Sequence, residues 1–135
     1  MGMDGYSGTP LWRKLGLKPD TTAQLLHAPA GWTVQDAPPT VRWLPEPSDA
    51  PATLIVSFYR VPRMFITELE TLAGRIRPAG MIWVAWPRKS TGHASEMTEN
   101  LIRDAALDIG LVDVKVAALD DAWSGLKLVW RLELR

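Results

Sequence analysis

The chain has 135 residues, 47% hydrophobic and 22% charged, which is the size and composition of one globular domain. Its 15 basic and 15 acidic residues cancel, so no overall charge draws it to nucleic acid or a membrane surface. It has no cysteine and only two histidines, His27 and His93, which excludes thiolate chemistry and argues against a metal site. We predict one domain over residues 1–135, with no metal, nucleic acid or membrane partner.

Residues 1–22 are predicted to form an N-terminal helical segment that packs on this domain. Thr9 and Pro10 are typical of a helix start, and Gly16 is typical of a helix end. The first residues lack the basic start and apolar run of a secretory signal. Apolar runs elsewhere have strand length, far short of the roughly 18 residues that span a bilayer. These features predict a cytoplasmic protein.

Apolar runs at 23–28, 52–59 and 81–86 predict strands, with a proline-rich loop and a brief extended piece at 41–44 after the first. The runs at 52–59 and 81–86 are apolar on both faces. This pattern predicts central, adjacent and parallel strands covered by helices. Residues 64–77, between them, have the apolar periodicity of an amphipathic helix.

Ser95 is predicted to cap a further helix that ends at Gly110. Strands at 113–119 and 127–133 follow, and their short connection, DDAWSG, permits only an antiparallel pair. Alternating strands and helices require right-handed crossovers. We therefore predict a Rossmann-like α/β fold, a mostly parallel sheet flanked by helices with a C-terminal antiparallel hairpin. The reversed strand is predicted at a sheet edge, where pairing with a second copy would give a homo-oligomer.

From residue 52 onward the chain resembles the second half of a class I, S-adenosylmethionine-dependent methyltransferase. RPAGMIWVAW, residues 77–86, resembles the helix end, Pro-Gly turn and strand of that fold, and the final hairpin resembles its reversed last strand. In that family a GxGxG turn after the first strand approaches the cofactor, and an acidic residue on the next strand binds ribose hydroxyls.

Here the corresponding turn, HAPAGW at 27–32, has one glycine and a proline, and Pro45 follows the extended piece at 41–44. This departure predicts that S-adenosylmethionine binds no tighter than about millimolar, which is roughly 4 kcal/mol.

Four segments resemble a family of small bacterial proteins catalogued as domain of unknown function 3052. They are GYSGTPLWRKLG (5–16), LLHAPAGW (25–32), WPRKSTG (86–92) and LVDVKVAALDDAWSGLKLV (111–129). The resemblance covers nearly the whole chain. It implies a bacterial source and the same fold, and it supplies no activity.

Ligands of open α/β sheets bind beyond the carboxyl ends of the parallel strands, where loops and helix N-termini meet. The loop after the strand at 81–86 offers cations, two hydroxyls and an open backbone, which suit an anion. The hairpin turn adds an indole and a hydroxyl at the same edge. The alternative is an ordinary polar loop and an indole that only covers the sheet end. The predicted ligand-binding residues are Lys89, Ser90, Thr91, Gly92, Trp123 and Ser124.

His27, at the end of the first strand, is interpreted as a hydrogen-bonded core or rim histidine rather than a general base, because the sequence places no nucleophile beside it. No catalytic residue is assigned. The main hypothesis is a non-catalytic module without a cofactor that binds a small anionic or planar ligand, or a protein partner, at the carboxyl edge. The alternatives are a divergent S-adenosylmethionine-dependent methyltransferase or other nucleotide-using enzyme, and a homo-oligomeric structural module.

Overall fold

A six-stranded sheet with helices on both faces organises the computed structural model, which describes residues 8–89 and 95–135. In chain order the elements are α1 (Leu11–Leu15), β1 (Thr22–Leu26), β2 (Arg42–Trp43), β3 (Leu54–Phe58), α2 (Pro62–Arg75), β4 (Met81–Pro87), α3 (Glu99–Asp108), β5 (Leu111–Ala118), β6 (Trp123–Trp130) and a 3-10 helix (Leu132–Leu134).

The strand order is β2-β1-β3-β4-β6-β5. The first four strands in this order are parallel, and β6 runs antiparallel to both of its neighbours. This arrangement confirms the predicted Rossmann-like class and its C-terminal hairpin. β3 and β4 are the adjacent, parallel and largely buried central strands that their apolar sequences predict.

Apolar side chains form two cores, one on each face of the sheet. α2 and α3 cover one face, where Phe65 and Ile102 contribute fully buried side chains. α1 covers the other face through Leu15, whose carbonyl oxygen accepts a hydrogen bond of 2.9 Å from the buried indole Nε1 of Trp83. Residues 27–41, which connect β1 to β2, contain no helix, so the loop itself packs on this second face.

The hairpin differs from its prediction in where the reversed strand begins and where it lies. β6 already begins at Trp123, because the Oδ1 atom of Asp120 accepts the backbone N–H groups of Ala122 and Trp123, both at 2.8 Å, and closes a tight turn. Trp123 and Ser124 therefore lie in a strand. β6 is interior and β5 is the edge strand, so the prediction of a reversed strand at the edge was wrong.

Two element boundaries also differ. α3 begins after Thr98, whose Oγ1 accepts the N–H of Leu101 at 3.1 Å, whereas the predicted cap, Ser95, donates to the carbonyl of Arg60. β1 ends before His27, because that residue adopts a left-handed backbone conformation with φ of 58°. None of the helices in the described parts of the chain has the length and hydropathy needed to cross a bilayer.

Candidate functional site

The two predicted ligand-binding loops begin at the same edge of the sheet. Trp123 and Ser124 pair with Pro87 and Trp86 of β4, and the exposed Lys89 follows that strand. The other predicted residues of this loop, Ser90, Thr91 and Gly92, lie outside the described residues. Contact with a ligand therefore stays a prediction for this set.

The indole of Trp123 is packed into the sheet end. Only 6% of the residue is exposed, and its ring meets that of Phe58 edge-on with centroids 5.0 Å apart. Trp32, from the loop after β1, also packs edge-on against Phe58, with ring centroids 4.8 Å apart, and donates through Nε1 to Asp120 Oδ2 at 2.9 Å. The aromatic chain ties the loop after β1 to the hairpin turn.

A second group of polar side chains lies at the carboxyl ends of β1 and β3. The Nε2 atom of His27 is 2.9 and 3.1 Å from the two carboxylate oxygens of Glu68, and the hydroxyl of Tyr59 donates to the same carboxylate. On the other side of His27, Glu46 Oε2 accepts the backbone N–H at 3.0 Å and lies 3.5 Å from ring atom Nδ1. We call His27, Glu46, Tyr59 and Glu68 the edge network.

Local structure explains how these residues meet. The left-handed conformation of His27 turns the chain away from β1 toward the segment after β2, where Glu46 lies. Tyr59 directly follows β3 and is buried against Phe65 of α2. Glu68 lies one helical turn beyond Phe65 and one turn before Leu72, so its half-buried side chain reaches the end of the sheet.

Burial raises the pKa of Tyr59, and its hydrogen bond to Glu68 raises that pKa further. The hydroxyl therefore remains a hydrogen-bond donor at neutral pH. Glu68 therefore meets both the hydroxyl of Tyr59 and Nε2 of His27, while Nδ1 of the same ring faces Glu46 Oε2 at 3.5 Å. Contacts with carboxylates on two sides fix the orientation of the imidazole, an arrangement that can serve proton transfer.

The sequence interpretation missed three members of the edge network. Glu46 was passed over because a proline, Pro45, ends the extended piece before it, and Tyr59 was assigned only to a strand. Glu68 lies within the predicted amphipathic helix without a role of its own, although its spacing from Phe65 and Leu72 puts it in phase with the apolar stripe. That spacing is the one available signal. His27 is a hydrogen-bonded rim residue, as interpreted, and it also has the partner that orients a base.

No group of three or more histidine and acidic side chains within residues 8–89 and 95–135 is arranged to hold a metal ion.

Comparisons with known proteins concern the fold. No family model matches the chain, and no curated protein matches its sequence. Solved structures do match. The chain is similar to magnesium protoporphyrin IX methyltransferase from Synechocystis PCC 6803 with bound S-adenosylmethionine, at 9% identity and a TM-score of 0.61, over 90% of this chain and 74% of that one.

Two further methyltransferases match over most of both chains. One is a S-adenosylmethionine-dependent methyltransferase from Aquifex aeolicus, with 13% identity, a TM-score of 0.55, and coverage of 87% and 86%. The other is the N-methyltransferase NodS from Bradyrhizobium japonicum WM9, with 14% identity, the same TM-score, and coverage of 87% and 90%. The chain has a class I methyltransferase fold.

This finding corrects the main functional hypothesis. Methyltransferase structures with bound S-adenosylmethionine and with its demethylated product share the fold. They favour the methyltransferase alternative. The main hypothesis, a non-catalytic binding module, was wrong.

Proposed function

We propose that the protein is a divergent S-adenosylmethionine-dependent methyltransferase with its site at the carboxyl ends of β1 and β3. The observation that carries this proposal is the edge network, which occupies the ligand-binding edge of the sheet in a chain with a methyltransferase fold. A hydroxyl or amine that accepts a methyl group must lose a proton, and His27 is oriented to accept one.

The residues present fit the ribose of the cofactor, but the turn after β1 departs from the usual glycine-rich arrangement. Glu46 Oε1 has no hydrogen-bond partner among the described residues and lies beyond the end of β2, where a carboxylate binds ribose hydroxyls. The turn after β1 is no glycine cradle, because Pro29 has no N–H and the N–H of His27 is bonded to Glu46. A Cβ added to Gly31 would meet no atom within 4 Å.

Each member of the edge network has a distinct role in this proposal. When bound, the cofactor supplies an electrophilic methyl group. Glu68 holds the ring of His27 through Nε2, so that Nδ1 receives the proton from the methyl acceptor. Tyr59 donates to Glu68 and keeps that carboxylate in place. Glu46 binds the nucleoside hydroxyls through Oε1.

Calorimetry with S-adenosylmethionine and its demethylated product tests cofactor binding. We expect a Kd below millimolar, tighter than the turn at 27–32 alone predicts, because Glu46 adds a contact. We expect Glu46→Gln to weaken binding by about tenfold or more because a charge-assisted hydrogen bond is lost. Glu70→Gln is the matched control, since Glu70 is exposed on α2 outside the edge network. A Kd weaker than millimolar for the unaltered chain, or equal effects of both substitutions, overturns the proposal.

Methyl transfer from labelled cofactor to a panel of hydroxyl and amine compounds tests the role of His27. We expect His27→Asn to abolish transfer while calorimetric cofactor binding persists, because the ring is assigned to proton transfer. Transfer that continues unchanged in this variant excludes His27 as the base.

The finer sequence predictions belong to the same proposal. Membership of the family of domain of unknown function 3052 is supported by the four quoted segments. A bacterial source and a single domain over residues 1–135 belong to the same proposal. A cytoplasmic location is supported by the lack of cysteine, because such a chain requires no oxidising compartment.

A further inference from the structure

A recess with a mostly apolar lining and a few charged groups lies next to the edge network, between α2 and the segment that follows β2. Its volume is about 290 Å³, which corresponds to roughly ten water molecules at about 30 Å³ each. Leu26 and Leu72 supply apolar lining, while His27, Glu46 and Glu68 extend the edge network into it. The recess has room for a small organic molecule that touches the network.

Arg75 lines the recess and carries a donor without an acceptor. The residue is only 8% exposed, and its Nε donates to the carbonyl of Ala50 at 2.8 Å. Its Nη2 atom is buried and has no hydrogen-bond partner among the described residues. Neighbouring atoms cover Nη2, so a ligand oxygen reaches it only when those atoms shift. A buried charged donor without a partner is costly, and an acceptor oxygen that completes this contact would therefore be stabilised.

The remaining charges of the recess select against a simple anion. Three lining carboxylates, Glu46, Asp49 and Glu68, face one guanidinium. Asp49 lies near Arg75 and its charge acts on it, but no ion pair joins the two in the described parts of the chain. The excess of carboxylates favours a positively charged group on the ligand, whereas Arg75 favours an acceptor oxygen.

The carboxylates of the edge network and the guanidinium of Arg75 lie at different ends of the recess, with Asp49 near Arg75. Glu68 and Arg75 are seven residues apart on α2, which places them on the same face of the helix and two turns, or about 10 Å, apart along its axis. A ligand that satisfies both must therefore be elongated, with its charged groups at opposite ends.

We propose that this recess binds an extended amino carboxylate, with a primary amine beside Glu68 and a carboxylate oxygen at Arg75. In this orientation the amine lies beside His27. That this class is the methyl acceptor rests on the proposed function, whereas binding itself needs no cofactor.

Three probes of equal chain length test the proposal. Chemical-shift titrations of the full chain without cofactor would use 6-aminohexanoate, hexylamine and hexanoate. We expect 6-aminohexanoate to bind about tenfold or more tightly than either probe with a single charged end, because each end contributes a charge-assisted hydrogen bond. Equal affinities for the three probes overturn the proposal.

Substitutions at the two ends assign the selectivity. Arg75→Met is expected to remove the preference for 6-aminohexanoate over hexylamine, and Glu68→Gln to remove the preference over hexanoate. Arg63→Met and Glu70→Gln, on the exposed face of α2, are matched controls that should change neither preference. Selectivity that survives Arg75→Met in a folded variant excludes the assignment of the carboxylate end.

Arg75 also donates a hydrogen bond to the carbonyl of Ala50, so its substitution can unfold the chain. If it does, the probe selectivities of the unaltered protein and of Glu68→Gln decide the proposal. Intact probe selectivity without cofactor binding overturns the proposed function alone. Cofactor binding without probe selectivity overturns this inference alone.

Discussion

Replacing Gly125 with alanine should destabilise the sheet, although the change adds only one methyl group. Gly125 lies in β6 between Ala85 of β4 and Ala117 of β5. A Cβ at this position would lie 2.9 Å from Cε3 of Trp83 and 3.1 Å from both δ carbons of Leu119. The indole of Trp83 is fully buried and hydrogen-bonded to the chain of α1, so it cannot move away freely.

Two opposing effects set the magnitude of this loss. Overpacking a core by one methyl group costs about 1–3 kcal/mol. Alanine lowers the conformational entropy of the unfolded chain relative to glycine, which offsets about 0.4–1 kcal/mol. The net expectation is a loss of about 1–2 kcal/mol, or a fall in Tm of roughly 4–8 °C for a domain of this size.

Urea and thermal unfolding of Gly125→Ala measure this loss. Gly74→Ala is the control, because Gly74 lies on the exposed side of α2 and an added Cβ meets no atom within 4 Å. Alanine at a helical position should stabilise that variant by about 0.5–1 kcal/mol. A Gly125→Ala protein as stable as the unaltered chain would refute the close packing of β6 against Trp83.

Other predictions concern single contacts. Thr98→Ala should lower the free energy of unfolding by about 1 kcal/mol, because α3 loses its N-cap. Trp32→Phe keeps the ring contact but loses the hydrogen bond to Asp120, so urea unfolding should show a loss of about 0.5–1.5 kcal/mol. The raised pKa of Tyr59 means that its stabilisation is complete below pH 10 and is lost as pH rises further; relative to Tyr59→Phe, the unaltered chain should lose about 1.4 kcal/mol per pH unit above that value. Lys89→Ala should change stability by less than about 0.5 kcal/mol because the side chain is exposed, and any weakening of cofactor binding by calorimetry would identify it as a ligand contact.

The fold could be predicted because its strongest signals are local. β3 and β4 are apolar on both faces, and only a central strand buries both, so sequence alone predicts their position. The start of β6 could not be predicted in the same way. DDAWSG has the composition of a turn, and it is the two backbone hydrogen bonds to Asp120 that confine the turn to its first residues.

The edge network was harder to predict, because its members come from four separate elements. Their chemistry depends on the distances between their side chains, which cannot be read from their separation in the sequence. Glu46 and Glu68 are ordinary acidic residues in a loop and a helix until the fold brings both to His27. Tyr59, a single aromatic residue after a strand, is likewise explained from sequence as part of the core. Its buried ring agrees with that explanation, but the hydrogen bond from its hydroxyl to Glu68 could not be predicted from it.

The form of the loop after β1 explains why side chains predominate at this edge. A helix that follows the first strand offers free backbone N–H groups and a positive dipole end to a ligand. Residues 27–41 contain no helix. The backbone N–H of His27, at the end of β1, is bonded to Glu46. Recognition at this position must therefore come from side-chain charges. For this reason substitutions of Glu46, Glu68 and Arg75, rather than changes at Gly31, are expected to decide ligand binding.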